Sequence, residues 1–108
     1  MNREQIQNLD PIVHAPVRLA VLSILNTVLS AQFTWLKEQT GASDGALSTH
    51  LSKLEEHGYI SVEKKFVGKK PQTSYSITAK GSRALLDHLE QLRIIIEQQE
   101  KINPHPGT

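Results

Sequence analysis

Thr40-Gly41-Ala42-Ser43-Asp44-Gly45-Ala46-Leu47-Ser48-Thr49-His50-Leu51-Ser52-Lys53-Leu54-Glu55-Glu56-His57-Gly58-Tyr59-Ile60 is the stretch whose reading decides the fold. Gly41 supplies the left-handed stop of a short preceding helix. Ser43 can cap the next helix, its hydroxyl accepting from a first-turn amide. Leu47, Leu51 and Leu54 then follow at spacings of four and three, which sets all three on one face. Gly58 ends that helix just after His57. Two helices joined by a three-residue, Gly-containing turn form the bihelical unit that reads duplex DNA.

The segment after the second helix supports that reading. Tyr59-Ile60-Ser61-Val62 and Tyr75-Ser76-Ile77 alternate with the period of two expected of half-buried strands. Gly68 and Pro71 bracket a turn between them. Lys64, Lys65, Lys69 and Lys70 cluster at that turn. Lysine suits backbone contact, because a point charge needs no fixed geometry. Phe66 and Val67 lie among the lysines, where they either pack against the domain or line the groove edge, with core packing expected of at least one. Net charge is only +1, but its distribution is uneven. Residues 1–60 carry a net −2, residues 61–80 a net +4, and residues 81–108 a net −1. Positive charge is thus concentrated in the segment that would touch a phosphate backbone. A solvated hairpin using lysines against edge pairing fits the same pattern.

Outside this block, Asp10-Pro11 reads as a helix start, with Asp as cap and Pro at the first position. Pro16 begins a longer helix whose apolar set is Val17, Leu19, Ala20, Val21, Leu22, Ile24, Leu25, Val28 and Leu29. That surface is too wide for one stripe, so this helix should be largely buried. Thr34 can cap a short helix through Trp35, Leu36, Lys37, Glu38 and Gln39. Thr78 caps a final helix with Leu85, Leu89, Leu92 and Ile96 in a four-three-four rhythm. Leu86, Ile94 and Ile95 fall outside that stripe, so the helix has more apolar surface than one small domain covers. Ile6, Leu9, Ile12 and Val13 offer a second apolar strip. A homodimer interface through Ile6, Leu9, Leu85, Leu89, Leu92 and Ile96 is expected. The alternative is that both strips complete the core of one chain.

With the three leucines inward, the second helix turns small polar side chains outward. Ser43, Asp44, Gly45, Ser48, Thr49 and Lys53 are the candidate DNA-contacting residues of that helix, joined by Lys64, Lys65, Lys69 and Lys70 of the hairpin. Small side chains let a helix sit deep in a groove, and hydroxyls donate to phosphates or accept from bases. The front offers no Arg, Asn or Gln for two-pronged base reading, so direct readout should be weak. Asp44 favours the helix dipole but repels a nearby phosphate. His50, beside Thr49, is either a contact that gains charge below about pH 6.5 or a part-buried neutral ring.

Thr40-Gly41-Ala42-Ser43, Leu47 to Ile60, the basic tip and Tyr75-Ser76-Ile77-Thr78-Ala79-Lys80-Gly81, in this order and spacing, resemble the small winged-helix transcriptional regulators related to MarR and ArsR. The resemblance covers about residues 12–96. It implies a mainly α fold with a small β-hairpin, a winged helix-turn-helix with extra N- and C-terminal helices for dimerisation. It also implies a recognition helix at residues 43–57, a wing at 61–77, and a homodimer on a two-fold operator in double-stranded DNA. Ser48, Thr49 and Lys53 match positions of such recognition helices that commonly contact DNA. Thr49 stands where many MarR-type helices carry Arg. The chain divides accordingly into an N-terminal extension (1–15), the winged helix (16–78), a dimerisation helix (79–98) and a flexible tail (99–108).

Other chemistries find less support. The 108 residues suit one domain and include no cysteine, which removes disulfides, thiol switches and thiolate zinc sites. Polar Met1 to Gln5 leads into no long apolar run, so no secretory signal, no membrane span and a cytoplasmic location are expected. His14, His50, His57, His88 and His105 are scattered; Asp87-His88-Leu89-Glu90 faintly resembles the metal sites between the last helices of ArsR-type sensors, but the second His that such sites carry further along that helix is absent. No cofactor is expected. Gly-rich phosphate loops, serine elbows and His-Glu-x-x-His are absent, and adjacent Glu55 and Glu56 point to different sides of their helix, so the reading is not an enzyme. A winged-helix module that binds another protein rather than DNA remains the alternative.

Overall fold

A computed structural model describes residues 9–99. Among these the order is α1 (Pro16–Leu25), β1 (Ala31–Gln32), α2 (Phe33–Thr40), α3 (Asp44–Glu56), β2 (Ile60–Val67), β3 (Lys70–Ile77) and α4 (Ala79–Gln99). The three strands form one antiparallel sheet in the order β1-β3-β2. This is the winged-helix arrangement. Ile6 and residues 100–108 of the expected tail lie outside the described residues.

The core lies where α1, α2, α3 and the base of the sheet meet. Val21, Leu22 and Leu25 of α1, Leu36 of α2, and Leu47, Leu51 and Leu54 of α3 are buried with Ile60 of β2. Val13 from the N-terminal segment and Leu85 of α4 complete it. The expected start and stop signals hold for α3. Ser43 Oγ accepts from the Ala46 amide at 3.2 Å, and Gly58 takes φ +74° while its amide donates to the Glu55 carbonyl at 2.9 Å. Gly41 takes φ +71° and closes α2 in the same way.

Several local expectations are corrected. The sheet has a third strand, because Ala31 and Gln32 pair with Tyr75 and Ser74 beyond the hairpin. Helix α2 therefore starts at Phe33, and Gln32 occupies the cap position in place of Thr34. Asp10 caps a single turn, not a helix. Its carboxylate accepts from the Ile12 and Val13 amides at 2.8 and 3.4 Å, and Pro16 then starts α1. Helix α1 stops at Leu25, where the Thr27 hydroxyl donates to the Ile24 carbonyl at 2.7 Å, and Leu29 is almost fully exposed. The wing turn is Gly68-Lys69, with Pro71 inside β3 opposite Phe66. Pair alternation from the closing Val67–Lys70 pair points the Pro71 nitrogen away from β2, where no ladder bond is lost. Phe66 and Val67 both stand outside the core, contrary to expectation, because they lie in the half of the wing that extends past the domain.

Helix α4 is joined to the base of the wing by a backbone contact. Thr78 Oγ1 accepts from the Gly81 amide at 3.0 Å, as expected of the cap, and donates to the Gly58 carbonyl at 2.7 Å. The Thr78 amide donates to the Tyr59 carbonyl at 3.1 Å. Gly81 is buried against that same carbonyl, at a distance no Cβ would permit. Of the expected dimer stripe, Leu85 is instead buried in the chain's own core. Leu89 and Ile96 are exposed and Leu92 is half-buried. No described residue of α4 beyond His88 is buried.

Candidate nucleic-acid interface

The burial of Leu47, Leu51 and Leu54 determines what α3 shows to solvent. Ser48, Thr49, Ser52, Lys53 and Glu56 line one shallow open groove on the opposite side. Ser43, Asp44 and Gly45 are exposed at the N-terminal end of the same helix. The structure therefore leaves all six helix candidates accessible, with Ser52 and Glu56 beside them as helical geometry requires.

Hydrogen bonding narrows what each can do. Thr49 Oγ1 donates to the Gly45 carbonyl at 2.9 Å, so its oxygen remains available only as an acceptor. Ser43 uses its oxygen as the cap and keeps its proton to donate. Asp44 is paired with Lys37 of α2 at 2.8 Å, both side chains largely exposed. That pairing offsets the repulsion a lone carboxylate would exert on phosphate.

One flank of α3 is held by a network that sequence spacing could not reveal. Arg18 of α1 lies 3.2 Å from His50 Nδ1. A guanidinium only donates, so a hydrogen bond here is accepted by the Nδ1 lone pair. Arg18 also donates to the Ile12 and Pro11 carbonyls at 2.7 and 3.3 Å. His50 is thus a part-buried ring tied to α1 and the N-terminal turn.

The N-terminal turn is itself tied to the wing base and to α4. Tyr59 Oη donates to Asp10 at 2.6 Å, and Lys80 lies 5.6 Å from the Tyr59 ring centre. Burial pushes the Asp10 pKa up, but the Tyr59 hydroxyl and the Ile12 and Val13 amides outweigh it and hold the carboxyl below its ordinary range. The same bond, with burial and the Asp10 charge, pushes Tyr59 up to about 12. His14 Nδ1 meets the buried His88 Nε2 at 3.2 Å. Burial, reinforced by His14 and opposed by Asp10, holds the His88 pKa below its ordinary value. Asp10, Tyr59, Lys80, Arg83, Asp87 and His88 border a cleft of about 510 Å³ away from the α3 groove. Among the described residues, no three His, Asp or Glu side chains gather as metal ligands would.

On the wing, Lys64, Lys65, Lys69 and Lys70 are all exposed. Directly paired residues share a face, so Lys64 with Thr73 lies on one side of the ribbon, and Lys65 with Gln72 and Lys70 with Val67 on the other. Lys69 sits at the apex, in the turn opened by Gly68 at φ +66°. Trp35 is partly exposed, in a groove with Val28, Ala31, Lys65 and Gln72 at the wing's edge. No helix of the described residues is long and apolar enough to cross a membrane.

Comparison with known proteins agrees with this geometry. Residues 17–96 match the family model of the winged helix DNA-binding domain. Protein MJ0432 of Methanocaldococcus jannaschii is 32% identical over 81 residues, spanning 75% of this chain and 88% of that protein. A transcriptional regulator homologue from Pyrococcus horikoshii OT3 superposes with a TM-score of 0.83 at 24% identity, over 91% of this chain and 99% of the other. A regulator ascribed to the MarR family from Enterococcus faecalis V583 superposes with a TM-score of 0.70 at 21% identity, over 92% and 89%. The family model is that of a DNA-binding domain, and both solved structures share its fold. With the family model covering residues 17–96, the chain belongs to the winged helix DNA-binding domain family.

Proposed function

We propose that this protein is a cytoplasmic transcriptional regulator that occupies a two-fold operator as a homodimer. Helix α3 enters the major groove through Ser43, Gly45, Ser48, Thr49 and Lys53, with Asp44 neutralised by Lys37. Lys64, Lys65, Lys69 and Lys70 of the wing hold the neighbouring phosphates. The observation that carries this reading is the outer face of α3. It is small, polar and wholly accessible opposite its three buried leucines, and it is followed in the chain by a ribbon with four free-standing lysines. Arg18 and the Tyr59–Asp10 bond brace α3 and the wing base from behind.

Two such helices about 34–36 Å apart are needed to read successive turns of one duplex face. Leu86, Leu89 and Ile96, uncovered in the single chain, favour a second copy packing along α4. The division into a winged helix at 16–78 and a dimerisation helix at 79–98 follows from that packing. The same apolar face also suits a different protein partner, which is the second reading.

Gel shifts against pooled genomic fragments, with the mass of the free protein measured in parallel, separate the two. The regulator reading expects a dimer mass and a shifted subset of fragments. Each wing Lys→Ala change should lower the log–log salt slope of binding by about 1 per contacted half-site. Unchanged affinity and slope after replacing all four lysines would refute the wing assignment.

A further inference from the structure

Two apolar side chains at the wing tip are left uncovered by the chain itself. Phe66 is 73% exposed and Val67 is 57% exposed. They lie on opposite faces of the ribbon, because neighbours in a strand alternate. Phe66 shares its face with Pro71 directly across and with Lys64 and Thr73 one step nearer the domain. Val67 shares the other face with Lys70, next to Lys65 and Gln72. Lys69 caps the ribbon at its apex.

Three occupants can be weighed for such a tip. A flat lipid surface would have to take Lys69 into hydrocarbon before either apolar side chain arrived. It would also meet only one of the two faces at a time. A second wing would bring a second set of four lysines against the first. A groove in duplex DNA has two walls, one for each face, and a strongly negative floor that receives Lys69. The minor groove is about 7.5 Å deep, and Phe66 stands two levels back from the Gly68-Lys69 apex, about 7 Å at about 3.4 Å per residue, so its ring reaches the groove wall rather than the floor. The groove is only about 6 Å wide, so a ribbon with side chains on both faces must open it.

We infer that Phe66 is an apolar DNA contact of the wing, seated with Val67 against the sugar walls of a minor groove that the tip widens. This rests on the DNA-binding reading and adds to it a contact that carries no charge. Lysine contacts release counterions and determine the salt slope; an apolar contact adds affinity without changing that slope. Because Phe66 packs on little of its own chain, its removal should leave stability intact.

The experiment uses the full chain and a duplex recovered by selection from a random-sequence pool. Phe66→Ala should weaken binding by about tenfold or more with the log–log salt slope and the urea midpoint unchanged. Phe66→Leu should retain part of the affinity. Native affinity in Phe66→Ala overturns the inference, and so does a loss accompanied by a lower salt slope. Binding of the native chain, but not of Phe66→Ala, to phosphatidylserine-containing vesicles with DNA affinity unaltered overturns it in favour of a lipid contact. If the selection recovers no duplex, the DNA-binding reading itself fails. If the four-lysine variant loses its slope while Phe66→Ala is native-like, only the present inference fails.

Discussion

Replacing Gly81 with alanine should destabilise the protein sharply, although the residue lies in a helix, where alanine is the better former. A Cβ at this position would stand 2.0 Å from the Tyr59 carbonyl oxygen, 2.8 Å from its carbon and 3.0 Å from its Cα. All three atoms are backbone, so no side chain can rotate aside. Carbon contacts relax only near about 3.5 Å, so α4 must retreat from the wing base by more than about 1 Å. The two Thr78 bonds to the Tyr59 and Gly58 carbonyls span the same joint and would be lost with it. Overpacking costs about 1–3 kcal/mol and the two bonds about 1 kcal/mol each, against a helix-propensity gain of about 1 kcal/mol. The net loss is about 2–4 kcal/mol, or a fall in Tm of at least about 8 °C for a chain of this size. Urea unfolding followed by helical circular dichroism measures it. Gly45→Ala is the internal control, since nothing lies within 4 Å of its Cβ. It should stabilise α3 by up to about 1 kcal/mol. A Gly81→Ala midpoint at or above that of the native protein, or both variants shifting the same way, would refute the close-approach argument.

Acid should weaken the fold partly through His88, whose pKa is held below its ordinary 6.5 by burial. The unfolded chain then takes up that proton first, so stability is level above about pH 6.5 and declines below it. His88→Leu should remove that part of the decline, and equal losses in both proteins, read as urea midpoints from about pH 7 to about pH 5, would refute it. Lys37→Ala should change stability by less than about 1 kcal/mol, because its pair with Asp44 is exposed. It should nevertheless weaken DNA binding by unmasking Asp44, and Lys37→Ala/Asp44→Asn should recover much of the loss in a titration against the same duplex.

Local signals in the chain were sufficient for α3, the two wing strands and the start of α4. Ser43, Gly58 and Thr78 act through partners only a few residues away, and a leucine every three or four residues names the buried face of α3 wherever that helix packs. The basic cluster and the outward polar residues of α3 follow from the same short-range periodicity, so most of the candidate interface was legible. What the tertiary structure alone decided depends on residues far apart in sequence. The third strand exists because Ala31 meets Tyr75, and two residues carry no alternation of their own to announce a strand. Arg18 reaches His50, and Asp10 reaches Tyr59, across distances that no spacing rule spans. Leu85 and Leu89 are alike in the helical stripe, yet only Leu85 lies within reach of the core. Phe66, like Val67, is apolar, so core packing is expected of at least one of the two. Both stand in solvent because the hairpin continues past the last layer that could cover them. Periodicity determines which side of an element is apolar; only the packing of the whole chain determines how much of that side is covered.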